Sequence, residues 1–311
     1  VTSPLDLLVL GDANPDLILR GGDVDPAFGQ AERLVEEARL TVGGSAAITA
    51  CAAARLGMRV GFCGVVGDDL FGRFMRDELV ARGVDVAGLQ VNPSKPTGVT
   101  VVLSRPEDRA ILTQPGTIAI LDMDGIDREL LARARHVHVG SYFLQTALAP
   151  DLPRLFDAAH ADGATTSLDP NWDPEERWAL GDVLTRTDVV LPNGEEAMRI
   201  AHVDDVEEAA RRLAATGPLV VVKDGDRGGL AARQDGLVHE AAPSARVVDT
   251  TGAGDAFDAG FLTAWLEGRP LREALQLAVA CGTLSTRAVG GVDGQPSLEE
   301  ALALAGTGAR T

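Results

Sequence analysis

Residues 249–257 read Asp-Thr-Thr-Gly-Ala-Gly-Asp-Ala-Phe, and three small residues, Gly252, Ala253 and Gly254, stand just before an apolar, helix-like stretch over 256–266. A helix start leaves backbone N–H groups unpaired and carries the positive end of the helix dipole, so it suits an anion. Small residues let a bulky phosphate approach that backbone closely. Asp255 follows at once. Charge repulsion makes it a poor phosphate ligand, but it can accept a proton from an attacking hydroxyl. The combination points to phosphoryl transfer to an alcohol. The plain alternative is a Gly-rich turn with Asp255 as a dipole partner in the first helical turn.

Other polar residues stand where strands should end. Gly11-Asp12-Ala13-Asn14-Pro15-Asp16 follows an apolar run over 5–10, and Asn14 with Asp16 offers an amide and a carboxylate for vicinal hydroxyls. Asn, Asp and Pro are also ordinary turn formers. Gly43-Gly44 precedes a helical pattern and can either admit a ligand or simply join loop to helix. Asn193-Gly-Glu-Glu196 can orient a triphosphate and its hydrated Mg²⁺, or act as an N-cap with a capping-box Glu. Lys223, Gly225 and Gly228 end a further strand, as a nucleotide wall or a hairpin turn. Asp169-Pro170-Asn171 reads as substrate contact or turn, and His136 and His138 read as structural.

The elements that must position these residues alternate. Strand-like runs at 5–10, 59–64, 137–139, 165–168, 189–191 and 219–223 interleave with helical patterns at 45–56, 69–82, 151–161, from about 195, 207–214, 256–266 and 271–287. Such alternation predicts an α/β fold with a mostly parallel sheet. Residues 14–40 and 91–121 break the rhythm. The second holds short apolar runs at 99–103 and 110–112 around Arg105-Pro106-Glu107-Asp108, an antiparallel hairpin pattern. Both segments are expected to form a small lid over one domain spanning 1–311.

Composition narrows the partners. Apolar residues make up 45% of the 311, enough for a substantial core, and the net charge is −18 with no dense Lys/Arg block. Nucleic acid and anionic membranes are therefore unexpected partners. Cys51, Cys63 and Cys281 show no metal-ligand spacing and read as reduced, buried residues. No basic-then-apolar leader is evident and charge breaks every long apolar stretch, so a cytoplasmic location is expected.

In order and spacing, the Gly43-Gly44 helix start, Asn193-x-x-Glu196, the Gly225/Gly228 pair and the Gly252-Ala253-Gly254-Asp255 run resemble the ribokinase-like carbohydrate kinases, the PfkB family. The resemblance covers nearly the whole chain. It implies a three-layer α/β/α sandwich with a β lid that also forms a homodimer interface in many relatives. It further implies ATP, Mg²⁺ and a small sugar as ligands. Asp255 then resembles the catalytic base and residues 252–254 the anion hole. Asn14, Asp16, Gly43 and Gly44 resemble the sugar contacts. Asn193 and Glu196 match the phosphate and Mg²⁺ motif, and Lys223, Gly225 and Gly228 the nucleotide wall. Asp249 and Thr251 lie where some relatives bind an activating monovalent cation such as K⁺. Two departures stand out: Ile48 where sugar kinases often carry Asn, and Trp172-Asp173 where many carry Arg. A nucleoside kinase, or a ligand-binding regulator without activity, are the alternative readings.

Overall fold

The computed structural model describes residues 4–105 and 109–308. From the first buried strand, β1 (Leu7–Leu10), the chain enters β2 (Asn14–Arg20) and β3 (Glu37–Gly43), then α1 (Ser45–Arg55), β4 (Val60–Gly67), α2 (Leu70–Ala81) and β5 (Asp85–Asn92). A hairpin, β6 (Val99–Ser104) and β7 (Arg109–Gln114), precedes α3 (Arg128–Arg133), β8 (His136–Val139), α4 (Leu152–Ala161), β9 (Thr165–Leu168) and β10 (Val189–Val190). The remainder comprises α5 (Gly194–Ala201), α6 (Val206–Ala214), β11 (Leu219–Lys223), β12 (Gly229–Arg233), β13 (Gly236–Glu240), α7 (Ala253–Leu266), α8 (Leu271–Ser285) and α9 (Leu298–Gly308).

Nine strands form the main sheet in the order β13-β12-β11-β10-β9-β8-β1-β4-β5, parallel throughout except at β11–β12–β13. The continuous apolar run of β1 follows from its central place. Leu7 and Val9 face one helical layer, with α1, α7 and α8, while Leu8 and Leu10 face the other, with α4 and α6, and all four are fully buried. The expected α/β/α sandwich is present.

Four strands make a separate small sheet, β3-β2-β6-β7, the expected lid. Its centre is a parallel pairing of β2 with β6, Asp16 opposite Thr100 through Arg20 opposite Ser104. The anticipated hairpin pairs Val99 with Gln114 through Ser104 with Arg109, and its tip, residues 106–108, lies outside the described residues.

Several boundaries differ from expectation. Val91 and Asn92 end β5, which pairs with β4 in the main sheet rather than with the lid. The lid strand β3 runs on to Gly43. Helix α7 starts three residues earlier than the apolar pattern, at Ala253, because Gly252 takes the left-handed conformation (φ 73°) and turns the chain into the helix.

Candidate active site

In open parallel sheets, ligands gather beyond the carboxyl ends of the strands where the strand order reverses. Here β1 lies between β8 and β4, and the polar residues fall at that edge. Asp12 follows β1, Ser141 follows β8, Asp169 follows β9, Asn193 follows β10 and Lys223 ends β11.

Asp12 organises the centre. Its carboxylate accepts the N–H of Ser45 (3.2 Å) and of Ala46 (3.0 Å), capping α1, and the hydroxyl of Ser141 (3.0 Å). Burial raises its pKa despite those bonds. The start of α1 after Gly43-Gly44 is thus served by a protein carboxylate. Both glycines are needed for close approach. A Cβ on Gly43 would strike the Asp16 carboxylate, and one on Gly44 (φ 80°) would lie 3.0 Å from Asn14 Oδ1. Asn14, Asp16, Gly43 and Gly44 therefore form one cluster, completed by Thr100 Oγ1, 3.2 Å from Asn14 Nδ2.

Asp255 stands in the first turn of α7, buried, and its Oδ1 accepts the Ser45 hydroxyl at 2.5 Å. Burial pushes its pKa up to about 7; the Ser45 hydroxyl and Lys223 oppose the rise, while Asp169 and Asp12 add to it. Asp16 is also pushed up to about 7, by burial and then by the charges of Asp12 and Asp255, with Arg109 opposing. No side chain caps α7, and of its first N–H groups that of Ala253 donates to the Thr250 carbonyl at 3.2 Å.

A cleft of about 540 Å³ opens beside this helix start, lined by Lys223, Gly225, Gly228, Ala242, Val247, Gly254, Phe257 and Thr283. Gly228 (φ 99°) sits against the Glu240 carbonyl, and a Cβ on Gly254 would meet the Lys223 side chain at 3.3 Å. Apolar walls beside the start of a helix suit a nucleotide, base in the cleft and phosphates at the helix.

The ammonium of Lys223 is not directed at this cleft alone. It lies 2.7 Å from Asp169 Oδ2 and 3.0 Å from Asp258 Oδ2, nearly buried. Burial opposes that charge, but the two carboxylates hold the lysine well above its ordinary pKa.

Asn193 and Glu196 realise the capping box in full. Asn193 Oδ1 accepts the Glu196 N–H (2.9 Å), while the Glu196 carboxylate accepts the Asn193 N–H (2.8 Å) and side-chain amide (2.6 Å). Burial, with the Asp169 charge, pushes Glu196 up to about 7. Each of its oxygens keeps a lone pair, which fits a water-coordinated Mg²⁺ rather than direct ligation.

Asp249 and Thr251 come together in a strap. Asp249 Oδ1 accepts the N–H (2.9 Å) and hydroxyl (2.8 Å) of Thr251, and Oδ2 accepts the Gly290 N–H (2.9 Å). From the lid, Arg109 Nη1 donates to Thr251 Oγ1 at 3.1 Å.

The two departures have structural counterparts. Ile48 is buried, and a Cβ on Gly291 would lie 2.5 Å from its Cδ1, so the side chain packs against protein. Asp173 accepts the N–H groups of Glu175 (2.9 Å), Arg177 (2.7 Å) and Trp178 (2.8 Å), and Trp172 sits edge-on to Trp178. A stapled turn under an aromatic pair stands where an arginine would be. His136 and His138 bond Thr165 and Ser167 inside the sheet, and all three cysteines are buried and free.

Sequence reasoning missed Asp12, Ser45, Arg109 and Asp258. Asp258 carried a readable signal: three residues after Asp255 on one helix, it shares a face with it. Ser45 directly follows the glycine pair. Arg109 and Asp12 become meaningful only in three dimensions.

The family model for pfkB family carbohydrate kinases matches residues 5–298. An ATP-dependent ribose-1-phosphate kinase of Halopiger xanaduensis is 32% identical over 280 residues, covering 90% of this chain and 91% of the relative. A fructokinase of Klebsiella pneumoniae is 35% identical over 309 residues, covering 93% and 95%. Arabidopsis thaliana ribokinase, solved with ribose and ATP, superposes with a TM-score of 0.84 at 25% identity, over 98% of this chain and 99% of that one. An E. coli chain assigned as ribokinase II, solved with ATP and Mg²⁺, gives a TM-score of 0.86 at 26% identity, over 98% and 100%.

Proposed function

Because the chain belongs to the pfkB family of carbohydrate kinases and is an ATP-dependent sugar kinase, we propose that it phosphorylates a hydroxymethyl group on a small, uncharged sugar or sugar-like alcohol. The observation that carries this reading is the Asp255 carboxylate, buried at the uncapped start of α7 and hydrogen-bonded at 2.5 Å to an alcohol, Ser45 Oγ. A base placed to hold one hydroxyl can take the proton of another.

In the proposed reaction, Asp255 accepts the acceptor's proton as its oxygen attacks the γ-phosphorus of ATP and ADP departs. The N–H groups of the Gly252-Ala253-Gly254 turn stabilise the charge on the transferred group. Asn14, Asp16, Gly43 and Gly44 orient the acceptor's hydroxyls. Lys223, Gly225 and Gly228 would form the nucleotide wall with Asn193, and Glu196 would hold Mg²⁺ through water. The metal, when bound, neutralises phosphate charge. For K⁺ at Asp249 and Thr251 the fit is partial. Oδ1 of Asp249 already accepts two bonds and Oδ2 one, so the ion would rest largely on backbone carbonyls.

Relatives named for ribose-1-phosphate and for fructose differ in acceptor charge. Asp12, Asp16 and Asp255 share one electrostatic neighbourhood, which disfavours an anionic acceptor. On the lid, exposed Ile111 and Leu112 of β7 offer the surface through which a second copy would pair.

Mg²⁺-dependent ADP release, measured over ribose, fructose, adenosine, cytidine, ribose 1-phosphate and a keto sugar acid, tests the reading with Asp255→Asn as blank. Turnover of a neutral compound that is lost in the variant supports it. Preference for a phosphorylated or carboxylated acceptor overturns the assignment of charge. ATP binding without turnover on any compound points to a binding protein instead.

A further inference from the structure

Ser45 is the residue whose contacts the proposed reaction leaves unused. It opens α1 directly after Gly43-Gly44, half-buried, with its N–H anchored on Asp12 and its hydroxyl on Asp255. The first anchor holds the residue from the end of β1, and the second reaches across to α7. Two helices from distant parts of the chain are thereby joined at the oxygen of the proposed base.

We propose that Ser45 is a positioning residue for phosphoryl transfer, acting through Asp255: its hydroxyl fixes Oδ1 and leaves Oδ2 as the oxygen that receives the acceptor's proton. This rests on the reading of Asp255 as base. A hydroxyl donated to a carboxylate is a charge-assisted bond and favours the ionised form, the form a base must have. Asp255 needs that help. Asp12 beyond β1, Asp16 on β2, Asp169 beyond β9, Glu196 on α5 and Asp258 on α7 all place negative charge or a titratable carboxyl around it, against the cation Lys223 on β11 and, at Asp16, Arg109 of the lid. Every one of those groups stays in place when the Ser45 hydroxyl is removed, so a change in proton affinity is attributable to that bond.

The test is the pH profile of kcat/KM between pH 5.5 and 9.5 for wild type, Ser45→Ala and Ser45→Thr, on whichever acceptor the substrate panel identifies. In Ser45→Ala the acidic limb moves up by about one pH unit. Activity then falls roughly 10-fold at pH 6 and little at pH 9, because the base is ionised there in either protein. The KM for ATP and the melting temperature stay near wild type, since alanine is a good helix former. Ser45→Thr keeps the hydroxyl and restores the limb. A Ser45→Ala profile that superposes on wild type, or a loss equal at every pH, overturns the proposal. Full activity in Asp255→Asn removes the base itself, a separate failure that these two Ser45 variants do not mimic.

Discussion

Lys223 Nζ and Asp258 Oδ2 lie 3.0 Å apart, in a buried pair that ties the end of β11 to α7 one turn beyond Asp255. The same ammonium also meets Asp169 at 2.7 Å. One cation neutralises one of two carboxylates. Asp258, fully buried with Oδ1 unpaired, is pushed well above the ordinary carboxylate range by burial and the Asp169 charge. Lys223→Met strands both acidic partners and should cost roughly 3–5 kcal/mol of stability, whereas Asp258→Asn keeps the shape, leaves Asp169 with its cation and should stay within about 1 kcal/mol of wild type. Chemical denaturation of both variants at pH 7 checks the contrast.

Asp255→Asn preserves shape while removing the proposed proton acceptor. Turnover should fall roughly 10²- to 10⁴-fold, with ATP affinity unchanged by calorimetry. Near-normal kcat would remove Asp255 from the reaction.

Activity and stability should respond to pH in opposite directions. Asp16, Glu196 and Asp255 each have a folded-state pKa raised to about 7. Between about pH 4 and 7 the folded protein thus holds more protons than the unfolded chain, so these groups lower stability as pH rises through that window. Groups held below their usual range, such as Glu300 at about 2, act at more acid pH. Melting temperature should drop by roughly 5 °C from pH 5.5 to 8.5, while kcat/KM climbs through pH 7 as the base ionises. A melting temperature that rises over this interval would contradict the buried, protonatable cluster.

Gly252→Ala tests the helix start. At φ 73° a side chain is strained, and its Cβ would lie 2.6 Å from the Gly291 backbone. The variant should lose roughly 1–3 kcal/mol. Displacing the α7 N–H groups should also reduce kcat more than acceptor KM, as steady-state kinetics can resolve.

Arg109→Ala removes the lid's bond to Thr251. An exposed hydrogen bond of about 1 kcal/mol corresponds to a roughly 5-fold change. The expected effect is a higher KM for the acceptor at unchanged KM for ATP. An effect confined to ATP would place Arg109 on the nucleotide side.

The fold was legible wherever burial on both faces made a strand wholly apolar, as in β1 and β11. It was least legible in β5, where Asp85, Gln90 and Asn92 mark a partly exposed edge strand and disguise it as loop. That a helix begins near Gly252 was readable from the glycines and the carboxylate, but its first turn, from Ala253, was not part of the apolar pattern. Lys223 illustrates the limit. Its place at a strand end was visible, but its partners Asp169 and Asp258 lie 54 and 35 residues away, and only the sheet's strand order makes them neighbours. The same holds for Ser45 and Asp255, 210 residues apart.

Asn14 and Asp16 are themselves residues of β2, a strand of the lid sheet, whereas Asp255 belongs to the α/β body. In the proposed reaction, what reads the acceptor and what reacts with it therefore sit on different pieces of the molecule. On that reading, changes in β2, β3 or β6 should redirect the enzyme to another alcohol while α7 remains untouched. Grafting a lid sheet between relatives, rather than editing the body, is the natural route to a new specificity.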